Sequence, residues 1–430
     1  MSQTTTHQSK EAFLAPFQKH LNGKAIVPHI RTAAQEALAG LEFPTKRTED
    51  WKYTNLKTLQ QKSFKQASEG NISDVQPWLI PGLEADLIVF VNGQYQESLS
   101  SITYNQGIVR IVPFHQLEAA DMPVFEQHFG QIVDGEKDIF SALNTAFADQ
   151  GVMIHIGKGN IAPKPVMLLH INQGEGHTVG LQHRNLFVAE ASSQVKIVEA
   201  FFSTGEGDSL RNNLTEISVA ENANLEYIKL QLESETASQI DTTEVHQGRD
   251  SKASVFTITL SGDLIRNNLI FKLNDENTES HLMGTYLLSG RQHVDNFTQV
   301  HHKMPNCYSN ELYKGILDEK SSAAFTGRIN VYEDAQKTNA YQSNRNIILS
   351  ETANIYTKPQ LEIYADDVKC SHGATTGRID EDAMFYLRAR GINETEAKKL
   401  MIQAFTLEVT ENISIEAVSE YVEGLVANRY

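Results

Sequence analysis

The chain has 430 residues, enough to bury a large core, and its formal charge is -17, from 37 Lys and Arg against 54 Asp and Glu. An acidic chain without clustered basic residues argues against a nucleic-acid partner. No apolar run reaches the ~18 residues that a membrane span needs, so no membrane partner is expected either. The polar residues 1–24 lack the apolar segment of a secretory signal. Two cysteines, Cys307 and Cys370, cannot make a disulfide framework, and a cytoplasmic location is therefore expected.

Residues 1–84 are predicted to form an N-terminal helical region. Arg31–Leu41 is rich in helix formers and contains the helix-stopping Gly40 near its end. The next stretch, Phe43–Leu56 (FPTKRTEDWKYTNL), is polar and aromatic, and its pattern does not define how it packs.

Strands dominate residues 85–377. Ala85–Gln96 is an apolar run followed by an Asn-Gly turn. Beyond it, strand-like segments recur, with Val195, Leu225 and Val255 at corresponding positions 30 residues apart. Two further segments begin with the same four letters, RNNL, at Arg211 and Arg266. Repeats of strands and turns with almost no helix are typical of a β-solenoid, in which stacked coils share one interior.

The fold class predicted is therefore mainly β, a right-handed parallel β-helix flanked by N-terminal and C-terminal helical regions. A β-sandwich is less favoured because its hairpins lack a repeat register, and a propeller because its blades are longer. The two ends of a stack expose open strand edges. We expect the helical regions at both termini to cover those edges.

Residues 378–430 are predicted to form the C-terminal helical region. Asp380 and Asn393 are candidate N-caps of its first two helices. The second helix is apolar on two sides: Ala397, Leu400, Met401 and Ala404 lie on one face, and Ile402, Phe405 and Val409 on another. Such a helix is deeply buried or contacts a partner as well as its own domain.

Cys370 and His372 are the sharpest candidates for chemistry. On an extended chain, residues two apart point to the same side. A thiolate and an imidazole are good ligands for iron or zinc, but one loop supplies only half a coordination sphere. A buried structural cysteine beside an exposed histidine remains the alternative. A Cys-His hydrolase is weaker, because no helix N-terminus lies beside the thiol to activate it.

A second group, His293, His301, His302 and Cys307, is close in sequence and could bind a metal. His246 and His301, however, occupy matching positions of two repeats, TEVH and TQVHH, which favours a structural ladder. The run GKGNIAPKP at Gly157 lacks the spacing of a phosphate-binding loop, so the chain carries no motif for nucleotide hydrolysis.

Three segments carry a family resemblance. Asp366–Ile392 (DDVKCSHGATTGRIDEDAMFYLRARGI), Phe43–Leu56 and Asn310–Leu317 (NELYKGIL) resemble the SufB/SufD family of the SUF iron–sulfur cluster assembly system. Gly373 follows the Cys-Ser-His motif where the SufB branch typically has Glu, which favours the SufD branch. The resemblance agrees with a β-helix between helical ends.

The resemblance implies a non-catalytic scaffold that pairs with a SufB-like paralogue and binds a SufC-like ABC ATPase, which hydrolyses the ATP. A nascent iron–sulfur cluster is expected only transiently, at the interface with the SufB-like chain, and no firmly bound cofactor is expected. A homodimer is a further possible assembly. By these motifs, the resemblance implies that His372, with its neighbour Cys370, is the metal ligand. The resemblance also implies that the ATPase contacts five residues of the C-terminal part: Pro359, Tyr386, Arg390, Gly391 and Ile392.

Cys307 matches no family position, so the resemblance leaves its role open. The competing function is a stand-alone β-helix enzyme, such as a carbohydrate lyase, or the Cys-His hydrolase considered above. A lyase would be expected to cluster carboxylates or arginines on one strand face, whereas the acidic residues here are spread along the chain.

Overall fold

The computed structural model describes residues 10–18, 27–65, 67–103 and 107–429. The expectation about a secretory signal in residues 1–24 therefore falls mostly outside the described residues. No helix within the described segments is both long enough and apolar enough to cross a bilayer.

The described residues form eight α-helices and nineteen β-strands. The helices are α1 (Lys10–Gln18), α2 (Pro28–Gly40), α3 (Lys57–Gln60), α4 (Met122–His128), α5 (Ile139–Phe147), α6 (Glu381–Ala389), α7 (Glu394–Thr410) and α8 (Glu416–Ala427). The strands are β1 (Asp86–Val91), β2 (Gln94–Tyr95), β3 (Val109–Pro113), β4 (Gln150–Ile156), β5 (Val166–Gln173), β6 (Val179–Ala189), β7 (Gln194–Thr204), β8 (Ser209–Val219), β9 (Asn224–Leu232), β10 (Ala237–Gln247), β11 (Lys252–Thr259), β12 (Leu264–Leu273), β13 (Glu279–Leu288), β14 (His293–His302), β15 (Tyr308–Leu317), β16 (Ser322–Val331), β17 (Asn339–Ile348), β18 (Asn354–Ile363) and β19 (Lys369–Gly377).

Two long sheets run side by side along the molecule. One has ten strands in the order β19-β17-β15-β13-β11-β9-β7-β5-β1-β2, and the other has nine in the order β18-β16-β14-β12-β10-β8-β6-β4-β3. From β4 onward, successive strands alternate between the sheets, so one strand of each makes a coil. All pairs are parallel except β1–β2 and β3–β4. The prediction of a parallel β-helix with helices at both termini is confirmed.

The interior of the stack contains apolar columns in strict register. Phe187 pairs with Ile217, Ile217 with Val245, and Val245 with Phe271 along the nine-stranded sheet. All four side chains are fully buried. Since side chains alternate between the two faces of a strand, every second residue of each strand reaches this shared core.

The coil length is not the constant 30 residues that the sequence suggested. Val195 pairs with Leu225 as predicted, but Leu225 pairs with Ala253, and Val255 pairs with Tyr227. A slip of two residues leaves the side chain on the same face, so the inward pattern survives the error. From β4 onward, the number of residues per coil ranges from 26 (Ser238 to Leu264) to 33 (Gln150 to His183).

The matching RNNL segments are out of register by one residue. Arg211 pairs with Gln239, which pairs with Ile265 rather than Arg266. A shift of one reverses the direction of every side chain. Arg211 therefore lies inside the stack, where its Nε donates to Glu233 Oε1 at 2.8 Å, whereas Arg266 lies on the outer face.

The aromatic stretch Phe43–Leu56 packs on that outer face. The Arg266 guanidinium lies 4.5 Å from the centroid of the Trp51 ring and donates to the Asp50 carbonyl oxygen at 2.9 Å. Thr54 Oγ1 lies 3.0 Å from His293 Nε2. The N-terminal region thus covers the flank of the nine-stranded sheet.

The C-terminal helices also cover a flank and leave an end open. Ile402 and Val409 of α7 and Val422 of α8 are buried with Met283 and Ile316, which face outward from the ten-stranded sheet. Burial of this apolar stripe positions the helices along the side of the stack. Strands β18 and β19 each have a single sheet neighbour, so the predicted helical cap at this end is wrong. The opposite end is closed: its terminal strands, the antiparallel β2 and β3, are half-buried and largely buried respectively, whereas β18 and β19 are half-buried or exposed.

The turns that leave the nine-stranded sheet repeat one backbone conformation. A residue with positive φ stands two positions before the next strand in six successive coils: Ser192, Asn222, Asp250, Asn277, Asn306 and Lys337. Asn and Asp tolerate this left-handed conformation better than most residues. Each of these residues donates its N–H to a carbonyl oxygen of the turn in the next coil, as Asn222 does to Arg249 at 2.8 Å. The turns are therefore stacked as regularly as the strands.

We expect Phe187→Ala to lower the free energy of unfolding by about 3–5 kcal/mol, because it leaves a cavity in the shared core. Phe385→Ala is the matched control: this ring is 74% exposed, and the change should stay within about 0.5 kcal/mol. Urea unfolding followed by circular dichroism measures both. Equal losses in the two variants would contradict a continuous packed interior.

Candidate functional site

Cys370 and His372 lie on the last strand of the ten-stranded sheet, at the open end. Cys370 pairs with Ala340 and His372 with Gln342 of β17. Ala340 is fully buried in the interior column, so the inner face of β19 carries both candidate ligands. Because no described strand lies beyond β19, the interior column ends at these two side chains.

The two side chains differ in their surroundings. Cys370 is half-buried against the core, whereas His372 is exposed. Burial raises the pKa of the Cys370 thiol above its usual value, so the group is a protonated thiol at neutral pH. Residues two apart on a strand are separated by ~7 Å, and no hydrogen bond joins this pair among the described residues. An unactivated thiol without a bonded base disfavours the Cys-His hydrolase.

A buried carboxyl group, that of Glu311, lies on β15, two strands away from the strand of His372 in the ten-stranded sheet. Glu311 pairs with Gln342, and the Gln342 amide donates to Glu311 Oε2 at 2.7 Å. Burial raises the pKa of Glu311 to about 7. This residue was missed from the sequence, although it stands in the family-like segment NELYKGIL and alternation alone would have pointed it inward.

Pro359 belongs to the open end and not to the helical region. It lies in β18, the edge strand of the nine-stranded sheet, in register with Gly327. Proline has no N–H to donate, and an edge strand is where a sheet tolerates it. The structure therefore places Pro359 in the same terminal coil as Cys370 and His372.

The other four predicted contact residues are brought together at the C-terminus of α6. Tyr386 is 54% exposed, and the Arg390 guanidinium lies 4.2 Å from its ring centroid. Gly391 ends the helix with a φ of +91, and the Ile392 N–H donates to the Leu387 carbonyl at 3.3 Å. Glycine is suited to this left-handed position. The result is an exposed cation–aromatic pair.

Exposed large hydrophobic residues are concentrated in the same part of the molecule. Among the described residues, all but Ile102 and Ile161 lie in the last coils or in the C-terminal helices. They are Tyr332, Tyr341, Tyr356, Ile363, Tyr364, Phe385, Tyr386, Leu400 and Leu407. A concentration of this kind is typical of a protein–protein contact surface.

The two apolar faces of helix α7 that the sequence predicted differ in how far they are buried. Ile402 and Val409 are fully buried against the ten-stranded sheet. Leu400, on the other face, is 44% exposed. Asn393 caps the helix, since its side chain accepts from the Glu396 N–H at 2.9 Å. Part of the second face of α7, around Leu400 and Ala404, is thus available to another chain, whereas Ala397 of that face is fully buried.

The histidines near residue 300 do not converge on a common point. His302 points inward and lies 2.8 Å from Ser309 Oγ, while His301 faces outward and lies 3.2 Å from the Tyr332 hydroxyl. His246 and His301 do occupy matching positions, with Lys272 between them.

Cys307 is also a core residue. It is fully buried, its Sγ donates to the Asp275 carbonyl at 3.3 Å, and burial raises its pKa. These contacts fit a structural role for Cys307 and the nearby histidines.

Two family models match the chain. The SufBD protein N-terminal region matches residues 17–168, and the SufBD core domain of SUF-system FeS cluster assembly matches residues 170–405. Together they cover most of the β-helix and both flanking helical regions.

Curated relatives give the same result. The chain is 33% identical to the iron–sulfur cluster assembly protein SufD of Escherichia coli over 90% of this chain and 89% of that protein. It is 32% identical to an iron–sulfur cluster assembly SufBD family protein of Synechocystis, covering 94% of this chain and 91% of that protein. It is 27% identical to SufD of Bacillus subtilis, with 97% of each chain covered. The chain therefore belongs to the SufB/SufD family of iron–sulfur cluster assembly proteins.

Proposed function

We propose that the chain is the SufD-type scaffold subunit of a cytoplasmic complex in which a SufB-like paralogue and a SufC-like ABC ATPase assemble iron–sulfur clusters. The observation that carries the proposal is the open end of the β-helix, where two unpaired strand edges surround Cys370 and His372. The chain itself performs no catalysis, and the ATPase hydrolyses the nucleotide.

The strand edges at this end support pairing with another β-helix. Each of β18 and β19 presents a row of backbone donors and acceptors that no described strand satisfies. A second stack of the same family can continue both sheets by strand addition. Exposed Tyr341, Tyr356 and Tyr364 near these edges add apolar area to the contact.

Cys370 and His372 are proposed as half of a shared binding site for the nascent cluster, which is the cargo of the complex. Thiolate and imidazole both bind iron, but a cluster takes about four ligands, so the SufB-like chain supplies the rest. The raised pKa of the Cys370 thiol means that cluster binding displaces its proton. Loading is therefore expected to be weaker at low pH.

The surface at the C-terminus of α6 is proposed as the ATPase contact, formed by Tyr386, Arg390, Gly391 and Ile392. Arg and Tyr are the residue types that most often dominate binding energy at interfaces. Pro359 also remains a proposed ATPase-contact residue, although it lies in the terminal coil of the β-helix and not in α6. The exposed face of α7, with Leu400, extends the same surface.

Co-expression with a SufB-like and a SufC-like chain tests the proposal as a whole. We expect the three chains to co-purify and the complex to bind iron and sulfide under anaerobic conditions. A homodimer that excludes the SufB-like chain, even when that chain is present in excess, would contradict the proposed pairing.

We expect His372→Ala to leave the three-chain complex intact while cluster content falls to roughly a tenth or less, as for loss of a metal-coordinating group. Anaerobic iron and sulfide analysis measures the content, and size-exclusion chromatography measures assembly. The control is His29→Ala, which removes an exposed histidine of α2 and should change neither. Normal cluster content in His372→Ala would refute the ligand role.

We expect Arg390→Glu to weaken binding of the ATPase by roughly 10- to 30-fold, because it removes the stacked cation and adds a repelling charge. Lys158→Glu makes the same change of charge on an exposed turn near the opposite end of the stack and should leave the affinity unchanged. Isothermal titration calorimetry compares the two. Equal affinities would refute the contact assignment.

A further inference from the structure

Three metal-ligating side chains meet inside the first coils of the β-helix, at the closed end. They are His170 of β5, His183 of β6 and Glu199 of β7, and all are fully buried. One ligand atom of each lies within 4.8 Å of the others. No sequence motif marks the group, because the residues stand on three different strands and only the stacking of the coils brings them together.

Hydrogen bonds define which nitrogen of His183 is free. The Asn185 amide nitrogen donates to Glu199 Oε1 at 2.8 Å, so the Asn185 oxygen is the atom that faces His183 Nε2, also at 2.8 Å. An amide oxygen only accepts, and His183 Nε2 therefore carries the proton. The lone pair is on Nδ1, which is buried and has no hydrogen-bond partner. A ligating histidine in a metal site is oriented in the same way, by a bond from its other nitrogen.

His170 is held as firmly. Its ring lies between Phe90 and Phe201, stacked on both at centroid distances of 5.1 and 4.7 Å. Its Nε2 lies 2.8 Å from Glu199 Oε1, and its Nδ1 has no partner. The two imidazole rings are edge to face, 4.5 Å apart. The two rings and the Glu199 carboxyl group are therefore held close to one another, with one potential ligand atom of each within 4.8 Å of the others.

The group also contains a buried carboxyl group, that of Glu199, without a Lys or Arg partner among the described residues. Burial lowers the pKa of both histidines well below the usual value, so both rings are neutral. Arg211 and Lys229, the nearby interior cations, are paired with Glu233 and Asp241. Glu199 accepts hydrogen bonds from His170, Asn185 and Tyr227 but has no charged partner among the described residues. Two neutral imidazoles and a buried carboxylate are a donor set that suits a divalent cation.

We propose that His170, His183 and Glu199 form a buried site for one divalent transition-metal ion of the Zn²⁺ or Fe²⁺ class. His183 binds through Nδ1, Glu199 through a carboxylate oxygen and His170 through a ring nitrogen, while Asn185 orients His183. Two imidazoles and one carboxylate suit either ion. The site joins β5, β6 and β7 near the closed end of the stack, seven strand spacings, or ~34 Å, from β19. It does not depend on the proposed function of the open end.

The first test measures metal content in the full chain, produced without a histidine tag in medium supplemented with Zn²⁺, Fe²⁺ or Co²⁺ and dialysed against a chelator. We expect about one ion per chain, and visible d–d absorption of the Co²⁺ form typical of nitrogen and oxygen ligands. His183→Gln should retain less than a tenth of that content. The control is His302→Gln, which changes another inward histidine, hydrogen-bonded to Ser309 and outside the His170 group, and should keep the ion.

A second test needs no variant and applies even where His183→Gln fails to fold. Anomalous diffraction from crystals of the wild-type chain, recorded at the absorption edge of the metal found, should give one peak between His170, His183 and Glu199. A metal-free wild-type chain, a peak elsewhere, or full metal content in folded His183→Gln would overturn the proposal. In those cases the group is a hydrogen-bonded polar cluster only.

Discussion

Parallel backbone pairing between successive coils is the constraint on which the other features depend. Each strand is held on both sides by the strands one coil away, and a shift of one residue would exchange the inner and outer faces. The pairing therefore determines which side chains reach the shared interior and which remain for the flanking helices. The same pairing produces the open end, because β18 and β19 have no further coil to satisfy their outer edges. Core, flanks and interaction surface are three results of one hydrogen-bonding pattern.

Polar side chains inside the stack are kept mainly by bonding to one another. Asn267 bridges Gln231 and Asn296 at 2.8 and 3.0 Å, and the Tyr286 hydroxyl donates to Asn346 at 2.6 Å. Such networks offset the cost of burying polar atoms, although some inward atoms stay unpaired, among them Asn213 Oδ1, Gln239 Oε1 and His302 Nδ1. An inward polar residue by itself is therefore poor support for a binding site. What distinguishes the His170 group is that potential ligand atoms of three inward side chains lie within 4.8 Å of one another.

The fold could be predicted because a solenoid repeats similar strand and turn segments along the sequence. The Cys-x-His pair could be assigned to one face because successive side chains of a strand point to opposite faces. The pairing register between coils could not be inferred from similar sequence segments, because the turns and strands differ in length from coil to coil. The similar RNNL segments at Arg211 and Arg266 consequently face opposite sides. The capping role of the C-terminal helices was wrong because their apolar stripe matches the outward stripe on β13 and β15 better than it matches an end. Glu311 and the His170 group depend on contacts between neighbouring coils, whose residues are 29 to 31 positions apart in the chain and carry no shared local motif.

The repeated left-handed turn residue marks an equivalent position in successive coils. Ser192, Asn222, Asp250, Asn277 and Asn306 all stand at the same point of the path, two residues before a strand. A cut there and at the equivalent point of a neighbouring coil removes one whole circuit and leaves two ends that already match in position and direction. Lineages can thus lengthen or shorten the stack by duplicating or losing single circuits, while the specialised first and last coils remain unchanged. The same junctions are where a designer would splice a β-helix of chosen length.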